Sequence, residues 1–449
     1  MKKEVAAVSV KVGMVSLGCP KNQVDAEKMM FGLRAYGFEL SDVPEEADIV
    51  IVNTCGFIQS AKEEAIETLL EFLALKNEGG IKGVVCTGCL AERYRDDIME
   101  SLPGIDAVVP LGNDGEIARI IGELAETGEA DIDPRDKYDL PLEGDRTLIG
   151  GGYSAYLKIA EGCSNGCTYC AIPAIRGRFR SRPMENVLDE ARQLAESGVT
   201  ELIVVAQDTS RYGEDIYGES RIAELLTELC RIDGFRWIRT LYMYPERITD
   251  KLIDVIAKEP KLVKYLDIPI QHCNAEVLKR MNRRGDRETL AALMNKLRER
   301  IPDITLRTTL ITGFVGETEE QFEELAEFVG EMRFDRLGCF AYSEEEGTPA
   351  AKMDGQVPPE ERVRRSEIIT EQQMFITDEL MAQKVGSTLE VLIDGFDEDE
   401  GLFVGRTAAD APEIDGCVLV ASDRGLAEGE YVTVHIDSCE DGCFYGSAQ

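Results

Sequence analysis

Residues 161–170 read EGCSNGCTYC and place three cysteines, Cys163, Cys167 and Cys170, within ten residues. The spacing is C-x3-C-x2-C, and the stretch directly follows an apolar, strand-like run, YSAYLKIA (153–160). A closed structural metal site takes four protein ligands, and this loop supplies three. For zinc, the fourth would have to come from one of only two histidines, His272 and His435. His272, in PIQHC at the end of a predicted strand, is the candidate for such a Cys3His site. Iron–sulfur clusters are held by thiolates, normally four on a cubane. Three would leave one iron open to substrate or cofactor, which makes the missing ligand the reactive position.

Outward from this loop, five more strand-like runs follow: ELIVVAQ (201–207), WIRTLYMY (237–244), KYLDIPI (264–270), DITLRTTLI (303–311) and DRLGCFAY (335–342). Helical stretches such as MENVLDEARQLAESG (184–198) and TEEQFEELAEFVGEM (318–332) separate them. Six βα units predict a partial parallel barrel with its site at the carboxyl face of the strands. Residues 358–386 read as one long helix. Beyond about 386, short alternating runs broken by Gly and Asp (STLEVLIDGF, GLFVGRT, GCVLVAS, EYVTVHID) predict a small β-barrel of OB-like size.

Toward the N-terminus, three strand–helix units each end their strand at a cysteine: VGMVSLGC at Cys19, ADIVIVNTC at Cys55 and IKGVVCTGC at Cys89. In an open parallel α/β sheet the carboxyl ends of the strands line one edge, where ligands bind. Three thiols about 35 residues apart in sequence can therefore converge on one point. The polar stretch 126–152, rich in Asp, Gly and Pro, reads as a linker. The predicted class is α/β. It divides into an N-terminal open parallel sheet domain (1–130), a linker (131–150), a partial (β/α)6 barrel with a connecting helix (151–380) and a small β-barrel (381–449).

Composition bounds the function. A chain of 449 residues exceeds one ordinary domain, and no apolar run approaches the roughly 20 residues that span a bilayer. MKKEVAAVSVKVGMVSLGC reads as the opening strand of a domain rather than a signal peptide. Thirteen cysteines without a secretion signal point to a reducing cytoplasm, where clustered thiols are ligands more often than disulfides. Charge is the unusual bound: 49 basic against 85 acidic residues, net −36. Residues 381–449 hold three basic residues, Lys384, Arg406 and Arg424, against fifteen acidic ones. Such a surface repels phosphate backbones and favours a basic partner over tRNA.

With the motifs in place, C-x3-C-x2-C after the first strand of a partial βα barrel, with Tyr169 before the last cysteine, resembles the radical S-adenosylmethionine (SAM) superfamily. The resemblance implies a 4Fe–4S cluster on Cys163, Cys167 and Cys170, with SAM chelating the open iron. Reductive cleavage of SAM would then yield a hydrogen-abstracting radical. Cluster potentials reach down to roughly −700 mV, the direction this reduction requires. SLGCPKNQVDAEKM (16–29), VIVNTCGFIQSAKEE (50–64) and VVCTGCLAE (84–92) resemble the domain that defines the methylthiotransferases. That implies a second 4Fe–4S cluster on Cys19, Cys55 and Cys89. Spacing alone leaves Cys86 open as a ligand; the family's TGC element picks Cys89 and leaves Cys86 as strand core.

The last domain is similar to the TRAM barrel. SLGCPKN and NTCGFI resemble the branch that methylthiolates an aspartate β-carbon in the twelfth protein of the small ribosomal subunit. The tRNA adenosine branch, which typically reads YGCQMN, is the alternative. Family membership further implies SAM as both methyl donor and radical source, a basic ribosomal protein as substrate, and an electron donor such as flavodoxin or ferredoxin. It does not identify the sulfur donor. A zinc-stabilised binding module without activity is the rival from another class.

Weaker signals have plainer readings beside them. ITGFVGETEE (311–320) lacks the Lys-Ser/Thr of a phosphate loop. The resemblance places Gly313, Gly316 and Glu317 near the adenine of SAM; the alternative is a tight turn with Glu317 capping the next helix. Gln207 and Asp208 end the second barrel strand, where family members contact the methionine end of SAM, or form a helix cap. Arg307 meets the SAM carboxylate or pairs with an acidic neighbour. His272 and Cys273 read as core, as do Cys230, Cys339 and Cys417. Cys439 and Cys443 read as a free thiol pair.

Overall fold

The computed structural model describes residues 10–449; the part of the predicted opening strand before residue 10 lies outside them. Two compact units divide the chain. One holds the chain up to Ile149 with residues 161–165 and 170–180, and the other holds 150–160, 166–169 and 181–449.

The first unit is built on a parallel sheet of β1 (Lys11–Ser16), β2 (Glu39–Ser41), β3 (Ile49–Thr54), β4 (Gly83–Gly88) and β5 (Ala107–Val109), ordered β2-β1-β3-β4-β5. β3 and β4 are buried along their whole length, as continuous apolar strands covered on both faces must be. Alternate residues feed two cores. Val50 and Val52 pack with Leu69 and Phe72 of helix α2 (Gln59–Asn77), whereas Ile49 and Ile51 pack with Met29 and Leu33 of α1 (Pro20–Tyr36). α3 (Cys89–Ser101) and α4 (Ile117–Thr127) complete the layers. β2 and β5, three residues each, are too short to leave a periodic signal. The predicted linker has little regular structure beyond a 3-10 turn at Lys137–Asp139. It nevertheless packs on this unit: Ile132 and Ile149 lie against the α1 core, and the Asn113 side chain bonds the backbone at Asp133 and Arg135.

β6 (Ser154–Lys158) belongs to the second unit; the short pair that follows, β7 (Ala160–Glu161) and β8 (Arg180–Ser181), has residues assigned to both units. β9 (Glu201–Val205), β10 (Trp237–Thr240), β11 (Tyr265–Asp267), β12 (Thr305–Thr312) and β13 (Arg336–Ala341) then supply the remaining parallel strands. They run in two triplets, β10-β9-β6 and β11-β12-β13, linked by a parallel bridge between Ile238 and Leu262. This is the predicted six-stranded partial barrel. The long helix, Pro359–Ala382, packs on β12 and β13.

β14 (Thr388–Asp397), β15 (Leu402–Thr407), β16 (Val418–Ala421), β17 (Tyr431–Glu440) and β18 (Cys443–Ala448) close into a barrel. Its Arg406 reaches Glu201 and Asp394 in one buried network within this unit.

The small barrel corrects the cysteine reading at its end. Parallel pairing of β16 and β18 sets Val418 opposite Phe444, so the preceding residues, Cys417 and Cys443, are neighbours. They form a disulfide with Cα atoms 4.8 Å apart, inside the ordinary range for that bond. Cys439 is left as a free thiol. The sequence carries no sign of the β16–β18 register, which is why it reads Cys443 as a free thiol beside Cys439 and Cys417 as core; the disulfide corrects both readings. Among the described residues, no helix is long and apolar enough to cross a membrane.

Candidate cysteine sites

Strand order in the first sheet reverses between β1 and β3, and ligands bind in the crevice outside such a switch point. Cys19 stands just beyond β1 at the N-cap of α1, Cys55 follows β3 directly, and Cys89 is the first residue of α3 after β4. Gly18 has φ +90°, and a Cβ there would lie 2.6 Å from Cβ of Cys55. Only glycine lets these two loops approach so closely.

All three thiols feel one another and one cation, Arg176. Burial pushes Cys19 up, but Lys21, Arg176 and the backbone N–H groups of Asn22 and Lys21 outweigh it and hold the thiol below its ordinary range. Burial and the Cys19 charge raise Cys55. Burial raises Cys89 to about 12, with Arg176 opposing. Arg176 is buried: Nε donates to Cys89 Sγ at 3.3 Å, Nη1 to Asp25 (2.9 Å) and Glu161 (3.0 Å), and Nη2 to Asn22 (3.1 Å). Three undisulfided thiols beside a buried cation suit an anionic thiolate-held group. Among the described residues, no three His, Cys, Asp or Glu side chains gather as around a single ion; a four-iron cluster spreads its thiolates more widely. Cys86, by contrast, is wholly buried in the apolar face with Val84 and Leu90, its thiol also raised to about 12 by burial.

The barrel loop divides. Cys163 and Cys170 lie on segments of the first unit, where Cys163 N–H donates to Gly177 O at 3.0 Å. Cys167 belongs to the second unit and lies 2.7 Å, Sγ to Oη, from Tyr244. Arg283 stacks 4.0 Å over the Tyr244 ring. Thr168 fixes the same segment by donating to the carbonyls of Met281 and Arg280.

The remaining predicted residues are placed as follows. Tyr169 meets Phe314 edge-on at 6.3 Å. Gln207, just past β9, has both amide atoms buried without a protein partner. Arg307 donates to Asp267 at 2.9 Å and pairs with Asp415 at 3.4 Å. Gly313 has φ +67°, and a Cβ there would meet Arg362 at 2.5 Å. Glu317 is buried; it accepts from the N–H groups of Gly313 and Phe314 and pairs with Arg365 at 2.8 Å. It does not cap the following helix, a role taken by Thr318 in a capping box with Gln321. Thr318 is adjacent in sequence and needs no carboxylate to reach its own N3 amide.

His272 is fully buried, and that burial lowers its pKa to about 3. Its Nδ1 accepts from Asn274 N–H, and Nε2 lies 3.6 Å from Glu317. With Nδ1 taken up by the Asn274 N–H and Nε2 facing Glu317, His272 is held as a core residue. Cys230 and Cys273 are buried as expected, but Cys339 is only partly so, like the rest of β13, none of whose residues is fully buried. Sequence reasoning missed Asn22, Asp25, Arg176, Tyr244 and Arg283. A buried arginine or tyrosine carries no periodic signal, although Arg176 follows closely on Cys170 in AIPAIRG.

A partial parallel barrel with a three-cysteine loop after its first strand defines the radical SAM class. Residues 157–329 match the Radical SAM superfamily, 11–110 the Uncharacterized protein family UPF0004, and 385–448 the TRAM domain. A Lachnoclostridium phytofermentans protein named Ribosomal protein uS12 methylthiotransferase RimO is 48% identical over 98% of this chain and 100% of its own length. A Clostridioides difficile protein of the same name is 48% identical over 95% and 96%. The chain belongs to the RimO methylthiotransferase family. Among solved structures, the radical SAM methyltransferase TsrM of Kitasatospora setae superimposes with a TM-score of 0.55 at 16% identity, over 76% of this chain and 75% of its own. OxsB, a cobalamin-dependent SAM radical enzyme, gives 0.52 at 14%, over 81% and 56%. These two likenesses speak for the fold alone.

Proposed function

We propose that this chain adds a methylthio group to the β-carbon of an aspartate in the small-subunit ribosomal protein uS12. The observation that carries the reading is near full-length identity to relatives named for that activity. Cys19, Cys55 and Cys89 hold one 4Fe–4S cluster, and Cys163, Cys167 and Cys170 hold the other, which binds SAM. When bound, the clusters and SAM supply the electron, the hydrogen abstraction and the methyl and sulfur groups.

The chain's own residues prepare for them. Lys21, Arg176 and two backbone N–H groups favour the thiolate of Cys19. Burial keeps Cys89 protonated until a cation replaces the proton. Tyr169, Gln207, Arg307, Gly313 and Glu317 are assigned to SAM. Gln207 has the strongest support, since buried polar atoms are almost always bonded and both of its own lack a protein partner. Arg307, already paired twice, has Nη2 facing the bare backbone of Gly338 at 3.7 Å from where a Cβ would stand.

The working boundaries remain 1–130, 131–150, 151–380 and 381–449, supported by the separate family matches. An acidic terminal barrel, its Arg406 turned inward on Glu201 and Asp394, suits a basic protein substrate. The reading places the enzyme in the cytoplasm with a flavodoxin or ferredoxin as electron donor. Its test is anaerobic turnover with SAM, sulfide and small ribosomal subunits, read as a methylthio mass gain on uS12.

A further inference from the structure

Arg176 lies outside every motif that names the cluster ligands, yet it is among the largest fully buried side chains. A buried guanidinium survives only when its charge and its donors are matched. Four groups match it here: Asp25 and Glu161 on Nη1, Asn22 on Nη2 and the sulfur of Cys89 on Nε. All belong to the first unit. Asn22 is anchored in turn, its Nδ2 donating to the carbonyls of Leu17 and Asn53. The guanidinium is therefore clamped on its Nη side, which leaves its Nε–H one direction, toward Cys89.

We propose that Arg176 is a positioning residue for the N-terminal cluster, orienting Cys89 and raising the cluster's reduction potential through its N–H and its charge. The proposal rests on the ligand assignment above. Hydrogen bonds to cluster sulfurs and nearby positive charge stabilise the more negative, reduced state. Asp25 and Glu161 act oppositely: they hold Arg176 in place and also dilute its charge. Arg176 sits in the segment that follows Cys170, so the loop carrying barrel cysteines also sets the electrostatics around Cys89.

The test uses the full chain with Cys163, Cys167 and Cys170 replaced by alanine, so that only the N-terminal cluster assembles. Iron and sulfide are counted, and the midpoint potential is followed by electron paramagnetic resonance during a dithionite titration. Arg176→Gln is expected to lower the midpoint. Arg176→Lys, which keeps the charge but loses the planar fork, is expected to lower it less. Glu161→Gln, which leaves Arg176 less neutralised, is expected to raise it. An unchanged midpoint in Arg176→Gln with iron retained overturns the proposal. Should that variant fail to hold iron, an unchanged or lowered midpoint in Glu161→Gln overturns it. A parent protein without iron removes the ligand assignment and the proposal with it, whereas iron bound with an insensitive midpoint removes the proposal alone.

Discussion

Cys167 Sγ and Tyr244 Oη lie 2.7 Å apart. Burial holds the Tyr244 phenol well above its ordinary range, so the hydroxyl keeps its proton and is the donor once Cys167 is a cluster-bound thiolate. Arg283 on the ring face fixes its angle. A hydrogen bond to a charged acceptor contributes about 1.5–3 kcal/mol. Tyr244→Phe preserves the packing and removes only that bond. Its barrel cluster should assemble with full iron, and its midpoint should fall on the order of 60 mV, since 1.4 kcal/mol corresponds to about 59 mV for one electron. Redox titration of the variant checks this.

The six proposed ligands separate into two groups by partial reaction. Alanine at Cys163, Cys167 or Cys170 should abolish both SAM cleavage and product. Alanine at Cys19, Cys55 or Cys89 should abolish product while SAM is still cleaved to 5′-deoxyadenosine and methionine. Cys86→Ala should keep both clusters and lose only about 1–2 kcal/mol of stability for its buried volume. Chromatography of the nucleoside products and iron analysis distinguish these cases. Full methylthiolation by Cys89→Ala would contradict the assignment.

How much of this was legible in the sequence depends on the kind of signal. Strands such as ADIVIVNTC and ELIVVAQ announced themselves as apolar runs, and the cysteines at their ends followed from the parallel topology. β2, β5 and β18 did not, because three residues carry no period and β18 was masked by its cysteines. Pairing was likewise invisible. That Cys417 meets Cys443, that Thr318 rather than Glu317 caps its helix, and that Arg176 turns onto Cys89 all depend on register or tertiary approach. Arg307 was readable as a choice between a ligand and an acidic neighbour; its bonds to Asp267 and Asp415 needed the structure.

His272 makes stability depend on pH. Its folded pKa of about 3 lies below the ordinary 6.5, so the unfolded chain binds the extra proton between these values. The neutral form's stability is whole above pH 6.5 and declines as pH falls, by up to about 1.4 kcal/mol per unit. Between pH 7 and 5, above most carboxylate titrations, thermal midpoints should drop with pH. In His272→Asn the drop should be smaller, because only the histidine's contribution is removed. A parallel slope in both proteins would assign the effect elsewhere.

The Cys417–Cys443 disulfide closes a loop with a sequence separation of 26. Chain-entropy reasoning gives such a loop about 3.5 kcal/mol. Reduction with dithiothreitol, or Cys443→Ser, should therefore lower the unfolding midpoint of the intact chain in chemical denaturant. Equal midpoints with and without reductant would show that the bond adds nothing in solution.

The central claim concerns the substrate. Reconstituted enzyme would receive SAM, sulfide, reductant, small ribosomal subunits and bulk tRNA together under anaerobic conditions, and mass spectrometry would read both macromolecules. A methylthio gain on an aspartate of uS12, with tRNA unchanged, is the predicted result. A gain on tRNA adenosine with uS12 unmodified would contradict it.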